Sequence, residues 1–389
     1  MPVKTGLDVL KDNQFKPLHN QRVALLANPS SVDSHFNHII DLLTTSNAVT
    51  LKTILAPEHG LFAKVQDQVA SPEKGKYKGV EIVNIYGENV DSLWPPLHVF
   101  DSIDVLLIDI QDVGSRYYTF YSSAAFCIEQ AAKANVRVLV LDRPNPLGGE
   151  IIEGSMLESD MKSFVGYYPL PVRHGLTIAE LLLYINDTMS FGATLDVIKM
   201  TGWSREQFYG DTGLAWVLPS PNMPTPETAL VYPGACLIEG TNLSEGRGTT
   251  KPFELIGAPY LDSEKLVNKL NAESLEGVAF RPVVFQPSFH KYAGESCYGV
   301  QIHITNHHTF RSWISYVLLL KHILSIHTDF DWHRGEYEFV TDRLAIDLLL
   351  GTPHIRSMIE NGADRIDFEE FTKEGREEFT DSIRSYLLY

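Results

Sequence analysis

The sequence predicts an α/β fold: a Rossmann-like open, mostly parallel sheet with helices on both faces, plus a smaller C-terminal α+β domain. Three observations predict it. Short β-branched runs alternate with helix-length segments through the first half of the chain. Those runs are apolar on both faces, as strands covered on both sides by helices are. After about Pro259 the texture changes to strand-like stretches set among helical ones. The 389 residues leave room for a sizeable core and two domains. The expected division is 1–259 for the larger domain and 260–389 for the smaller.

The runs justify the strands in order. They are "RVALLAN" (22–28), "VTLKTILA" (49–56), "VEIVNIY" (80–86), "DVLLIDI" (104–110) and "VRVLVLD" (136–142). Between the last two, "SRYYTFYSSAAFCIEQAAKAN" has helical spacing, with Ser115 as its expected cap. Three more runs, "ATLDVIKM" (193–200), "LAWVLPS" (214–220) and "ACLIEG" (235–240), are expected to extend or flank the sheet. In the smaller domain, "SEKLVNKLNAE" and "RSWISYVLLLKHILSIH" read as helices. "VAFRPVVFQP" and "CYGVQIHITN" read as strands.

Composition narrows the function. The hydrophobic fraction is 44% and the charged fraction 21%, as in a globular enzyme. A net charge of −17 repels phosphate backbones and argues against nucleic acid as a partner. It also repels small anions at long range, so an anionic substrate needs local arginines. Cys127, Cys236 and Cys297 are too few and too scattered for a disulfide framework or a Cys-rich zinc site. No apolar run approaches the length of a membrane span. The N-terminus lacks a basic stretch leading into an apolar one, so a cytoplasmic location is expected, or an exported one if a leader precedes it.

Open parallel sheets bind ligands beyond the carboxyl ends of their strands. Every presumed strand here discharges polar residues at that end. In "LAPEHGLF" (55–62), Glu58 and His59 follow an apolar run that stops at Pro57. A carboxyl in so apolar a setting is a candidate proton donor, its pKa raised by burial. His59 would orient it or bind substrate; a turn pair is the plainer alternative. "DIQDVGSRYYTF" (109–120) offers Gln111, Asp112 and Arg116, the last two at a spacing that also permits an ordinary ion pair. Arg143 and Asn145 each precede a proline, which stiffens the loop that carries them. Arg173 and His174 stand in a similar segment, and Asn222 follows "LPSP". "EGTNLSEGRGTT" (239–250) supplies Glu239, Asn242, Glu245 and Arg247 among glycines and hydroxyls. Asp112 is the first candidate for a second catalytic carboxylate, then Glu239 or Glu245.

Some motifs are absent. The first β–α turn, "ANPSSVDS", lacks the glycines of the dinucleotide fingerprint. No HExxH or GxSxG occurs. The paired histidines of "NHHTF" (306–310) lack carboxylates at ligand spacing. No cofactor and no metal are expected.

Taken together, "PEHGLF", "DIQDVGSRYYTF", "LDRPNPLGG", "FVGYYPLPVRHGLTIAEL", "SPNMPTPETALVYPGACLIEGTNLSEGRGTTKPFE" and "CYGVQIHIT" resemble the NamZ-type (YbbC-like) exo-β-N-acetylmuramidases, a bacterial glycoside hydrolase family. The resemblance covers nearly the whole chain. It implies a Rossmann-like domain, a smaller C-terminal domain and a cleft between them. It also implies release of terminal N-acetylmuramic acid from the non-reducing end of peptidoglycan fragments, without nucleotide or metal. The family's proposed catalytic glutamate matches Glu58. Many members carry a second glycine soon after PEHGLF, where this chain has Ala63-Lys64.

Glycoside hydrolysis commonly uses two carboxyl groups, though a substrate-assisted route is known. Muramic acid carries a lactyl carboxylate, and arginine suits its recognition. Arg116, Arg143, Arg173 and Arg247 are the expected cations. Tyr117, Tyr118, Trp94 and Trp216 are the aromatics available to stack on a sugar, with core packing as the plainer alternative. Two other readings compete. One is a non-catalytic binder of muropeptides or anionic sugars using the same cleft. The other is a metal-dependent amide hydrolase built on His59, His174 and a carboxylate.

Overall fold

The computed structural model describes residues 2–66, 69 and 75–389. Seven strands form the larger sheet: β1 (Gln21–Ala27), β2 (Val49–Ala56), β3 (Gly75–Tyr77), β4 (Val80–Asn84), β5 (Val105–Asp109), β6 (Arg137–Leu141) and β7 (Leu195–Ile198). Their order is β3-β4-β2-β1-β5-β6-β7. Every pairing is parallel except that of β3 with β4. The chain builds outward from β1 to β2 and β4, then crosses to β5 and builds the other way. β1 and β5 therefore flank the switch point.

Alternation along the strands feeds two cores. Val23, Leu25, Ala27, Leu107 and Leu139 pack with Leu7, Leu10, Ile40 and Leu43 of the helices Gly6–Asp12 and Ile39–Thr45. Ala24, Leu26, Leu106, Ile108 and Val138 pack on the other face with the helices Phe120–Lys133 and Ile178–Thr188. Both faces are covered, which is why the strands read as unbroken apolar runs. The second core continues into the C-terminal part, to Tyr316, Leu319 and Leu348.

The smaller sheet is antiparallel: β8 (Leu255–Ala258), β9 (Val278–Phe285) and β10 (Cys297–Ile304), in the order β8-β10-β9. It draws on residues on both sides of position 260. The long helix expected after it spans Ser312–Ile326, and the last helix, Arg365–Ser382, returns the chain to the larger sheet. There Tyr389 donates to Asp142 Oδ2 at 2.8 Å.

Two predicted strands are not strands. Residues 235–240 are the end of the helix Pro226–Ala235 and the 3₁₀ turn Cys236–Gly240. That helix is buried along most of its length, and a short run apolar all round looks the same in a buried helix as in a buried strand. Residues 214–220 form a loop. The helix expected to be capped by Ser115 begins five residues later, at Phe120, with Thr119 in the cap position. Thr119 makes no capping bond there; its hydroxyl is used elsewhere.

Candidate active site

β2 ends at Ala56, and Pro57 starts a turn closed by the Gly60 N–H donating to the Pro57 carbonyl at 3.0 Å. His59 and Gly60 both take positive φ, 69° and 77°. For His59 that backbone is uncommon. The turn projects Glu58 into a cavity while leaving it only 4% exposed. Thr119 Oγ1 donates to Glu58 Oε2 at 2.7 Å, which is where the missing helix cap went. The Nδ1–H of His59 faces the Val65 carbonyl at 2.9 Å. Donation there leaves Nε2 as the acceptor of the neutral ring. Ala63, standing where many family members have glycine, takes φ 47°, a conformation glycine reaches more easily.

Other parts of the wall come from the 3₁₀ turn Cys236–Gly240 and the segment near residue 338. Glu239 accepts from Arg247 Nη2 at 2.6 Å through one oxygen and from the Tyr337 hydroxyl at 2.6 Å through the other. Glu338 accepts from Tyr86 at 3.2 Å. Tyr117, Tyr118, Asn222 and Phe253 close the sides. Asn222 donates to Gln66 Oε1 at 2.8 Å. Three carboxylates thus share one small cavity of about 50 Å³.

Of the residues singled out in the sequence, Glu58, His59, Asn222, Glu239 and Arg247 line this cavity. The others lie elsewhere. Asp112 is buried outside that cavity and accepts from the Gly114 N–H at 2.8 Å. Burial pushes its carboxyl up to about 7. His174 approaches it at 3.9 Å, but burial, with Arg173 adding to it, pushes the imidazole down to about 3, so the two are not an ion pair near neutrality. Glu245 is buried too; burial favours its neutral form, yet Lys291, His290 and Arg247 outweigh it and hold the carboxyl well below its usual range. It acts as an anchor for those cations, with Arg247 Nε at 3.1 Å and Lys291 Nζ at 3.2 Å.

Arg116 spends its guanidinium on the carbonyls of Ser155, Leu170 and Leu349, at 2.7, 2.7 and 2.8 Å, bolting three distant segments together. Arg173 pairs with Glu153 at 2.7 Å and donates to the Leu147 carbonyl. Asn145 bridges the Leu147 N–H and the Leu176 carbonyl, both at 2.9 Å. A Cβ on Gly114 (φ 76°) would collide with that amide. Asn242 holds Tyr260 and the Asp329 carbonyl beside an adjoining cavity. Gln111 and Arg143 line a separate, wider cavity. Trp94 packs on Phe126 at 4.3 Å, and Trp216 donates to the Met223 carbonyl. The histidines of "NHHTF", His307 and His308, pack against Phe208. Among the described residues, no group of three or more His, Cys, Asp or Glu side chains is placed to hold a metal ion.

Sequence reasoning missed Thr119, Tyr337 and Glu338. Thr119 was hidden by the misplaced helix start. Tyr337 and Glu338 lie far along the chain, and only tertiary contact brings them to Glu58.

These features define a class: an α/β protein with a buried, carboxylate-lined cavity at the carboxyl edge of its sheet. Family models of the exo-β-N-acetylmuramidase NamZ match residues 23–227, its N-terminal part, and residues 230–389, its C-terminal part. The chain is 40% identical over 391 aligned residues to the peptidoglycan β-N-acetylmuramidase NamZ of Bacillus subtilis (strain 168), covering 100% of this chain and 91% of that one. A DUF1343 family protein from Bacteroides fragilis has the same fold at a TM-score of 0.89 and 32% identity, with 100% of this chain and 99% of that one covered. A second from the same organism gives 0.78 and 28%, with the same coverage. The chain belongs to the exo-β-N-acetylmuramidase NamZ family, and so to the glycoside hydrolases.

Proposed function

We propose that this protein is an exo-acting glycosidase that releases β-linked N-acetylmuramic acid from the non-reducing end of peptidoglycan fragments, with Glu58 as general acid/base. The observation that carries it is the setting of Glu58. It is a buried carboxyl in a cavity that Glu239 and Glu338 also line, held by the Thr119 hydroxyl. In the first step Glu58 delivers a proton to the glycosidic oxygen as the C–O bond breaks; water completes the hydrolysis. Glu239 is the best-supported partner, because it alone of the three sequence candidates lines the cavity. Arg247 and Tyr337 fix its two oxygens.

The cavity itself is narrow. It shares Glu239 and Tyr337 as a wall with an adjoining cavity of about 560 Å³ that His290, Lys291 and Tyr292 also line. That neighbour offers room for the lactyl carboxylate, with Lys291, which Glu245 anchors at 3.2 Å, on its wall. Residues on both sides of position 260 contribute to the walls, which supports a cleft between two domains divided near there.

Glu58→Gln keeps the shape and removes the proton. It should lower kcat on a chromogenic N-acetylmuraminide by at least about 10²-fold, with the melting temperature little changed. Turnover near the wild-type rate would refute the role of Glu58. Saturable saccharide binding by the wild type without any product would favour a binding protein instead.

A further inference from the structure

A much wider cavity than the one that holds Glu58 borders the sheet. It lies at the carboxyl ends of β1, β5 and β6, beside the switch point, where open α/β sheets place ligands. Its volume is about 600 Å³, against about 50 Å³ for the Glu58 cavity, and no lining residue is shared.

Its polar groups are few and specific. Arg143 is 5% exposed and bonds Asp109 twice, Nε at 2.5 Å and Nη2 at 2.9 Å, with Nη2 also reaching the Val32 carbonyl. Its Nη1 makes no hydrogen bond among the described residues. Gln111, 4% exposed, spends its Nε2 on the carbonyls of Asp112 and Pro144, at 2.7 and 2.8 Å. Its Oε1 accepts from no described residue. Arg143 and Gln111 both line this one cavity, so the free donor and the free acceptor belong to the same wall set. Val3, Val32, Leu214 and Val217 give the remaining walls an apolar character.

The charges cancel locally. Arg143 is matched by Asp109, Asp33 by Lys11, and Lys4 by Asp12. An anion entering here would find no uncompensated cation, in a protein of net charge −17. A nearly buried N–H donor and a nearly buried carbonyl acceptor on the wall of one cavity complement an amide-bearing ligand, whose C=O accepts and whose N–H donates.

We propose that this cavity is a second ligand site, for a neutral amide-bearing molecule such as a short peptide segment with small apolar side chains. The site is independent of glycoside chemistry and stands or falls apart from the role of Glu58.

The test uses the full chain and N-acetyl-L-valine N-methylamide as probe, followed by protein NMR shifts. Saturable binding is expected, roughly millimolar for a ligand of that size. N-acetyl-L-valine, which carries a carboxylate in place of the second amide, should bind at least several-fold more weakly. Ala215→Trp, at an exposed wall position, should weaken the probe by about ten-fold or more. Glu58→Gln should leave probe binding unchanged. If Ala215→Trp fails to fold, Val217→Trp fills the same space. No saturation, tighter binding of the carboxylate, or undiminished binding to a folded, filled variant would each overturn the proposal.

Discussion

The two cavities both draw on the segment 214–223, through different residues, and are built in opposite ways. Ser220, Asn222 and Met223 face Glu58, whereas Leu214, Ala215 and Val217 face Arg143. On the Glu58 side, three carboxylates crowd a small space, and their hydrogen-bond donors come from distant parts of the chain. On the Arg143 side, each charge is cancelled by a neighbour and the volume is large and mostly apolar-walled. Crowded carboxylates in a small enclosure suit proton transfer and charge stabilisation. A neutral, roomy enclosure suits holding an uncharged group. Polar residues after a strand therefore do not by themselves mark reactive chemistry; what distinguishes a site is whether those residues already satisfy one another.

The sharpest way to test that contrast is to remove carboxylates one at a time. Glu239→Gln should cost about 10²-fold in kcat, because it removes a charge from the cavity wall. Asp112→Asn should cost less than about three-fold, since Asp112 lies outside the cavity. Equal losses, measured on the same chromogenic substrate, would erase the distinction between lining and buried carboxylates.

Thr119→Val comes next. It deletes the hydroxyl bond to Glu58, and an ordinary intramolecular hydrogen bond contributes about 0.5–1.5 kcal/mol. If the bond positions Glu58 for reaction, kcat should fall about ten-fold, with KM nearly constant. A change in KM alone would make Thr119 a substrate contact instead.

Asp112→Asn has a second, smaller readout in stability against pH. Burial moves the Asp112 carboxyl from its ordinary 3.8 to about 7 in the folded state. Between those values the native protein holds a proton that the unfolded chain has released, so wild-type stability falls as pH rises through the window. The asparagine variant lacks that term. Urea melts should show it gaining on the wild type from about pH 4 to 7, with the difference flat above. A constant difference would mean Asp112 is ionised throughout. The smallest effect is expected from exhaustive chelation, which should leave turnover within about two-fold if the carboxylates alone do the chemistry. A larger loss would point to a metal in the mechanism.

The fold was legible where its signal was local. The runs at β1, β2, β4, β5, β6 and β7 match the expected strands closely; at β1, β5 and β6 burial on both faces leaves a plain apolar signature. The signal failed at 235–240, where a buried helix end carries the same signature, and at 214–220, whose apolar residues line cavities and loops instead of pairing. The site was legible in part. Glu58 and His59 stand out because a carboxylate and an imidazole interrupt an apolar run. Arg116, Arg173 and Asn145 stood out equally, yet they hold backbone carbonyls and other buried groups. A guanidinium that locks a fold and one that grips a substrate look alike along the chain.

By itself, then, the sequence determined the parallel sheet, the placing of polar residues at its carboxyl edge, and Glu58 as the foremost candidate. These follow from periodicity and from the cost of burying a carboxyl without a role. Only the tertiary structure decided which carboxylates share a cavity with Glu58, and that Gln111 and Arg143 belong to another. It also decided that Tyr337 and Glu338, nearly 280 positions further on, complete the wall. The physical reason is that a hydrogen bond forms between neighbours in space, and the packing of two distant segments leaves no periodic trace in either one.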